Sequence, residues 1–280
     1  MKLQTTDLID LNKYPINKDN PNKRKLLKNI HAELENDGCA ILKKFLTQKA
    51  IKLITAEANK VSHLGHRSFN KTNPYFTKDD INLPKDDPRR QFYERSNNFI
   101  SADNFTKTST LRKIFDFPYF DNFIRDCVRV ESFYRYADPL ADVIINMAEE
   151  GNGFPWHFDT NNFTVTIAIQ NAENGGEFQY SPNIRDIDEN FDEVKKVLNG
   201  TSNKIVSLNL QPGDLQIFFG RNSLHRVAPL MGKKPRYVAI FSYVEEPRMV
   251  GSPERTKQLY GKTLPIHHSQ SGQRKDGLID

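Results

Sequence analysis

In the stretch FPWHFDTNNFTVTIAIQ, residues 154–170, His157 and Asp159 stand two positions apart, directly before an alternating run. On an extended backbone residues i and i+2 project to the same face, so an imidazole nitrogen and a carboxylate oxygen can reach one point in space. A second imidazole from elsewhere would give three ligands on one side of a metal and leave the other side open. That is the 2-His-1-carboxylate set that suits Fe(II). Alone, the pair also reads as a turn histidine beside a capping aspartate, because about half a chance His-x-Asp is expected in a chain of this composition.

The best second imidazole is His225, in QPGDLQIFFGRNSLHRVAP. Pro212-Gly213 makes a turn, Leu215 to Phe219 a strand, and GRNS a loop that delivers His225 to the next extended piece. His267 and His268 compete for the role but lie in a polar tail without an evident scaffold, and His31, His63 and His66 read as surface or packing residues. Just beyond His225, the strand PRYVAIFSY puts Arg236, Val238, Ile240 and Ser242 on one face and Tyr237, Ala239, Phe241 and Tyr243 on the other. If Arg236 points inward, its planar fork can hold a carboxylate bidentately; the alternative is a solvated arginine. After the His-x-Asp pair, Thr164, Thr166, Ala168 and Gln170 alternate with Phe163, Val165, Ile167 and Ile169. The apolar face is expected to pack on helices and the small polar face to line a pocket.

The elements that must position these residues follow from patterning. The 280 residues are 37% hydrophobic and 27% charged, which suits a soluble globular chain with room for a large core. No apolar run has membrane-spanning length and MKLQTTDLIDLNKY has no apolar signal core, so a cytoplasmic protein without a membrane partner is expected. Cys39 and Cys127 sit in apolar contexts and read as reduced core thiols, arguing for neither zinc nor iron-sulfur chemistry. The net charge of +5 comes from scattered basic groups, which speaks against nucleic acid as a partner.

Helical spacing covers 22–36, stopping at Asp37-Gly38, and 48–62, capped by Thr47, with CAILKKFL between them as a strand. Residues 65–110 are interrupted by proline and lack periodicity, yet carry Phe69, Tyr75, Phe76, Phe92, Tyr93, Phe99 and Phe105, which suggests a packed lid. One more helix is expected over 108–127. From Ser132, SFYRYA, ADVIINMAE, FTVTIAIQ, GGEFQY, KIVSLNL, DLQIFFG and RYVAIFSYV are strand candidates, interrupted by a helix at 188–199. The expected fold class is α+β: a double-stranded β-helix (jelly roll, cupin-like) core with N-terminal supporting helices and a lid. We expect one domain over 1–280, with helical support and lid at 1–130, the jelly roll at 131–245, and a tail at 246–280 that covers the pocket.

PWHFD, GGEFQY, GDLQIFFGRNSLHRVAP and Arg236 together resemble the Fe(II)/2-oxoglutarate-dependent oxygenases over residues 132–245. More narrowly, DDPRRQFYERSNNF, WHFDTNNFTVTIAIQ, GGEFQYSPNIR, SLHRVAP and EEPRMVGSPERTKQLYG are similar to the small enzymes that hydroxylate or halogenate free amino acids, from about residue 28 onward. The resemblance implies Fe(II) held by His157, Asp159 and His225. It also implies 2-oxoglutarate with its distal carboxylate on Arg236, and O2 as the third reactant; Thr166 or Ser242 are our candidates to assist Arg236, and Asn146 to reach the other end of 2-oxoglutarate. The radical halogenases of this group typically have glycine where Asp159 stands, so hydroxylation is implied.

Arg95, Ser96 and Asn97 of ERSNN are candidates for holding a substrate carboxylate, an internally bonded loop being the alternative, and Asp142 is a candidate for an amine. Trp156 reads as a packing residue and Arg226 as half of an ion pair. The expected partner is a small molecule, a free amino acid, with the oligomeric state left open. A peptide hydroxylase of prolyl-hydroxylase type would need an open groove, and a non-catalytic barrel binding a metabolite or nucleic acid is the alternative of another class.

Overall fold

The computed structural model describes residues 5–269, without the side chains of Thr5 and Asn97. Helix α1 (Pro21–Asp37) begins at Asn20, whose side chain accepts from the Lys23 amide, and ends at Gly38 with φ 61°. Asparagine before a first-turn proline and glycine after the last turn are the expected start and stop. Strand β1 (Cys39–Leu42) leads to α2 (Gln48–Val61), which Thr47 caps. Strands β2 (His66–Thr72) and β3 (Tyr93–Ile100) follow, then α3 (Thr110–Phe115) and α4 (Phe120–Val128). The single helix expected over 108–127 is thus two, divided around Pro118, which has no amide to donate and clashes with the preceding turn.

The remaining elements are β4 (Tyr134–Arg135), β5 (Val143–Ala148), β6 (Phe154–His157), β7 (Thr164–Gln170), β8 (Asn174–Gly175), β9 (Phe178–Ser181), α5 (Phe191–Leu198), β10 (Val206–Leu208), β11 (Leu215–Phe218), β12 (Leu224–Val227), β13 (Leu230–Met231), β14 (Arg236–Phe241), β15 (Tyr243–Val244), α6 (Pro253–Tyr260) and α7 (Pro265–Ser269). They assemble into an antiparallel seven-stranded sheet, β1-β11-β7-β14-β5-β3-β2, and a four-stranded sheet, β10-β9-β12-β6. This is the jelly-roll core with supporting helices expected from the sequence.

Period-two alternation divides the large sheet cleanly. Val165, Ile167 and Ile169 of β7 and Tyr237, Ala239 and Phe241 of β14 face the helical layer, against Ile54, Ile114, Phe115, Phe120 and Phe123. Phe115 stacks on Phe241 at 5.4 Å with an interplanar angle of 10°, and Phe120 meets the same ring edge-on. The opposite face of these strands is left to line a cavity.

The segment 65–110 departs from expectation. Strands β2 and β3 pair along their whole length and β3 also pairs with β5, so much of the expected lid is an extension of the large sheet. HRSFNKT and YERSNNFI carry polar residues on both faces, so the period-two hydrophobic signal of a half-buried strand is absent. Residues 73–92 remain as irregular cover, including a turn of 3-10 helix at Pro88–Arg90, and 101–109 link β3 to α3.

The tail is also better anchored than its composition suggests. Helix α6 packs on β2 and β3, with Tyr260 edge-on to Phe99 at 6.2 Å. His267, read from sequence as lacking a scaffold, is 1% exposed; its Nδ1 accepts from the Leu264 amide and its Nε2 lies 3.0 Å from Asp138 Oδ1. Residues 270–280 lie outside the described residues. Among the described residues no helix is long and apolar enough to cross a membrane. Phe241→Ala, which empties the centre of the sheet-helix interface, is expected to destabilise the protein by about 3–5 kcal/mol, read as a lower urea midpoint.

Candidate metal centre and substrate pocket

The centre is built on one cross-strand pair. In the β6–β12 ladder His157 lies opposite His225, and their ring centroids are 4.2 Å apart. Each Nδ1 meets a backbone carbonyl two residues upstream, Pro155 O at 2.8 Å for His157 and Ser223 O at 2.9 Å for His225. A carbonyl only accepts, so each Nδ1 carries the proton, and in the neutral rings each Nε2 keeps its lone pair. Those Nε2 atoms lie 3.8 and 3.5 Å from Oδ1 of Asp159, and all three donors fall within 4.8 Å of one another. Two imidazole nitrogens with fixed tautomers and one carboxylate fit a divalent transition metal, Fe(II) among them.

The aspartate is held from its other side. Its Oδ2 accepts from the Thr164 hydroxyl at 2.6 Å and its amide donates to Gly220 O at 3.0 Å. A Cβ built on Gly220 would overlap that carboxylate, so glycine is required by close approach. Burial pushes the Asp159 carboxyl up, but His225, His157 and the Thr164 hydroxyl outweigh it and hold it well below the usual carboxylate range. Burial, His225 and Arg95 together push His157 well below its ordinary value, more than Asp159 raises it. An ionised carboxylate and a neutral imidazole are the forms that bind a metal.

A cavity of about 140 Å³ opens onto this triad, with Arg95, Asn146, Thr164, Thr166, Gln216 and Arg236 in its polar lining. Arg236 heads β14, where burial lowers its guanidinium to about 10. The Thr166 hydroxyl donates to Gln216 Oε1 at 3.1 Å. Arg236, Val238 and Ile240 share the cavity wall as alternation requires, but Ser242 does not join them. Strand β14 ends at Phe241, and the Ser242 hydroxyl donates to Ala141 O at 2.7 Å.

Other expected residues also lie elsewhere. The Asp142 carboxylate is taken by both terminal nitrogens of Arg112, one at 2.8 Å, and also accepts from the Val143 amide, so it anchors α3 to β5 instead of facing a substrate amine. Arg95 points into the cavity, whereas Ser96, one residue on, does not line it and opens onto a separate surface cleft with Phe69 and Glu94. Asn97 pairs with Ser68 through the backbone, and its side chain lies outside the described residues. Among the described residues Arg226 makes no ion pair of the kind expected; its Nε donates to Gln179 and its guanidinium lies 4.7 Å from the Trp156 ring.

Two residues near His157, Phe76 and Arg255, were not among the site candidates read from the sequence. The Phe76 ring lies 5.7 Å from that of His157, with the guanidiniums of Arg95 and Arg255 at 4.8 and 4.6 Å from its centroid. Arg255 belongs to α6, whose Ser252-Pro253 start was a legible capping signal. Phe76 has φ 58°, a left-handed conformation no sequence pattern announces for phenylalanine.

This barrel, with two imidazoles and a carboxylate converging inside it, defines a 2-oxoglutarate- and Fe(II)-dependent oxygenase. The chain belongs to the Halogenase D family, whose sequence profile matches residues 22–258. AviO1 from Streptomyces viridochromogenes Tue57 superposes with a TM-score of 0.55 at 14% identity, covering 81% of this chain and 97% of that one. A prolyl hydroxylase from Trichoplax adhaerens, solved with a peptide fragment of a hypoxia-inducible factor, gives 0.54 at 17% identity over 80% and 91%. An oxidoreductase of the 2OG-Fe(II) oxygenase family from Burkholderia pseudomallei gives 0.50 at 13% over 79% and 91%. At these identities the likeness shows the shared fold. No curated protein sequence matches the chain.

Gly220→Ala should displace Asp159 and cut bound Fe(II) well below one equivalent while circular dichroism stays native; full iron loading in that variant would show the close approach to be unimportant. The His157 shift sets a pH dependence. The folded value is depressed below 6.5, so just below that pH the unfolded chain binds more protons and stability falls as pH drops. The metal-free protein should keep its urea midpoint between about pH 8 and 7 and lose stability below about 6.5, with His157→Gln flattening that slope.

Proposed function

We infer that the protein is an Fe(II)/2-oxoglutarate-dependent dioxygenase that hydroxylates an unactivated C–H bond of a small polar metabolite, a free amino acid. The observation that carries this reading is the convergence of two tautomer-fixed Nε2 atoms on the ionised Asp159 at the wall of a cavity. When bound, iron(II) and 2-oxoglutarate supply the chemistry, activating O2 with loss of carbon dioxide and formation of succinate. The chain's own part is to bind, orient and exclude water.

His157, Asp159 and His225 would hold the metal. Arg236, buried at the cavity wall, suits the distal carboxylate of 2-oxoglutarate, with Thr166 and Asn146 on the same lining. Arg95 would hold the carboxylate of the amino acid. Asp159 supports hydroxylation over the halogenation that the family's name suggests, since a carboxylate ligand occupies the position a halide would need. The irregular cover at 73–92 and the α6 tail favour an enclosed small molecule over a peptide groove. Helices, barrel and tail then work as one catalytic domain, and the buried free thiols of Cys39 and Cys127 suit a reducing, cytoplasmic setting.

Mass-spectrometric screening of free amino acids with Fe(II), 2-oxoglutarate and oxygen should give a product heavier by one oxygen with matching succinate. A chlorinated product in the presence of chloride would overturn the role given to Asp159, and turnover of peptides alone would overturn the substrate class. Arg236→Gln, which removes a charge-assisted bidentate contact, is expected to raise KM for 2-oxoglutarate by about 10- to 100-fold.

A further inference from the structure

We propose that the substrate is an acidic α-amino acid, its two carboxylates received by Arg95 and by Arg255 of the C-terminal helix, so that Arg255 determines specificity. The inference rests on the oxygenase reading above and names the substrate class of that same cavity.

Both guanidiniums contact the Phe76 ring, at 4.8 and 4.6 Å, and that ring touches His157. The two cations are therefore gathered on one ring beside the metal centre, close enough that Arg255 disfavours the charge of Arg95: burial first, and then Arg255, lowers Arg95 to about 9. Among the described residues that line the cavity, Asp159 is the one carboxylate. Iron(II), Asp159, 2-oxoglutarate and Arg236 cancel in formal charge, leaving Arg95 and Arg255 to add two positive charges. A basic side chain would meet repulsion there, and a neutral one would leave the second cation without its anion. An acidic amino acid, whose ammonium offsets one of its two carboxylates, removes one of these positive charges where a neutral one removes none and a basic one adds another, and each guanidinium offers the planar fork that matches one carboxylate.

Arg255 does not reach the mouth by chance of a loose tail. Ser252 caps α6 by accepting from the Arg255 amide, the Gly251 amide donates to Asp138, and the His267–Asp138 contact closes the segment farther on. The Arg255 side chain is partly open to solvent, as an entrance residue must be.

The test uses the full chain loaded with Fe(II), without oxygen, at saturating 2-oxoglutarate so that Arg236 is already occupied. Trp156, the only tryptophan in the chain and adjacent to His157, reports binding through its emission. Titrations with aspartate, glutamate, asparagine, glutamine and lysine are expected to show an acid binding at least about tenfold more tightly than its amide, a difference of about 1.4 kcal/mol. Arg255→Gln should bring that ratio close to one, and Arg255→Lys should restore part of it. Succinate formation on admitting oxygen should follow the same order. The proposal falls if lysine or an amide binds the native protein as tightly as the acids, if no acid binds, or if Arg255→Gln leaves the ratio unchanged. The native ratio decides even where a variant does not fold. Failure to bind iron or 2-oxoglutarate at all would instead overturn the oxygenase reading.

Discussion

Two hydrogen bonds from imidazole Nδ1 to the carbonyls of Pro155 and Ser223 are the constraint on which the site depends. They fix which nitrogen carries the proton, and so which is left to bind a metal. Neither carbonyl could do this without the β6–β12 register that places the histidines opposite each other. That register is defended by packing: Phe178 and Phe218 hold the His225 ring at 5.6 and 4.9 Å. The loop between the two remaining donors is tied at both residues, Phe158 to Pro74 and Asp159 to Gly220. A metal centre of three side chains is thus positioned mainly by main-chain groups.

The large sheet divides the labour. One face supplies the apolar area that stabilises the fold against α2, α3 and α4. The other gives up that stabilisation to carry Arg236, Asn146, Thr166 and Gln216 to the wall of a cavity. Burying Arg95 and Arg236 has a desolvation cost, visible in the lowering of both guanidiniums. That cost is offset when anions arrive, so the cavity favours negatively charged ligands.

Much of this was legible in the sequence, for identifiable reasons. The alternation in β7 and β14 is enforced by burial on one face, and there the apolar half of the pattern, Phe163, Val165, Ile167 and Ile169, is buried against the helices as expected, while of the polar half Thr164 and Thr166 line the cavity and Ala168 and Gln170 do not. His157, Asp159 and His225, whose donor atoms the structure brings within 4.8 Å of one another, stood out because metal chemistry restricts residue type. What failed to show was set by partners distant in sequence. Asp142 looked available until Arg112, from a different element, claimed it. Ser242 fitted the alternation by counting, but the strand ended one residue earlier. The β2–β3 pair was hidden because both strands carry polar residues on both faces, β2 being the edge of the sheet and β3 placing Arg95 in the cavity, and the site role of Arg255 depends on a tail whose anchor, Asp138, lies in another region of the chain.

Phe76 sits at φ 58° in a turn that the Asn73 side chain organises through Thr77, Arg89 and Tyr75. A left-handed conformation costs a phenylalanine about 1–2 kcal/mol, which a glycine would not incur. Glycine, however, has no ring on which two guanidiniums can rest. Selection for a more stable fold and selection for the mouth of the pocket therefore pull in opposite directions at this one position. Drift toward stability here would come at the expense of substrate choice.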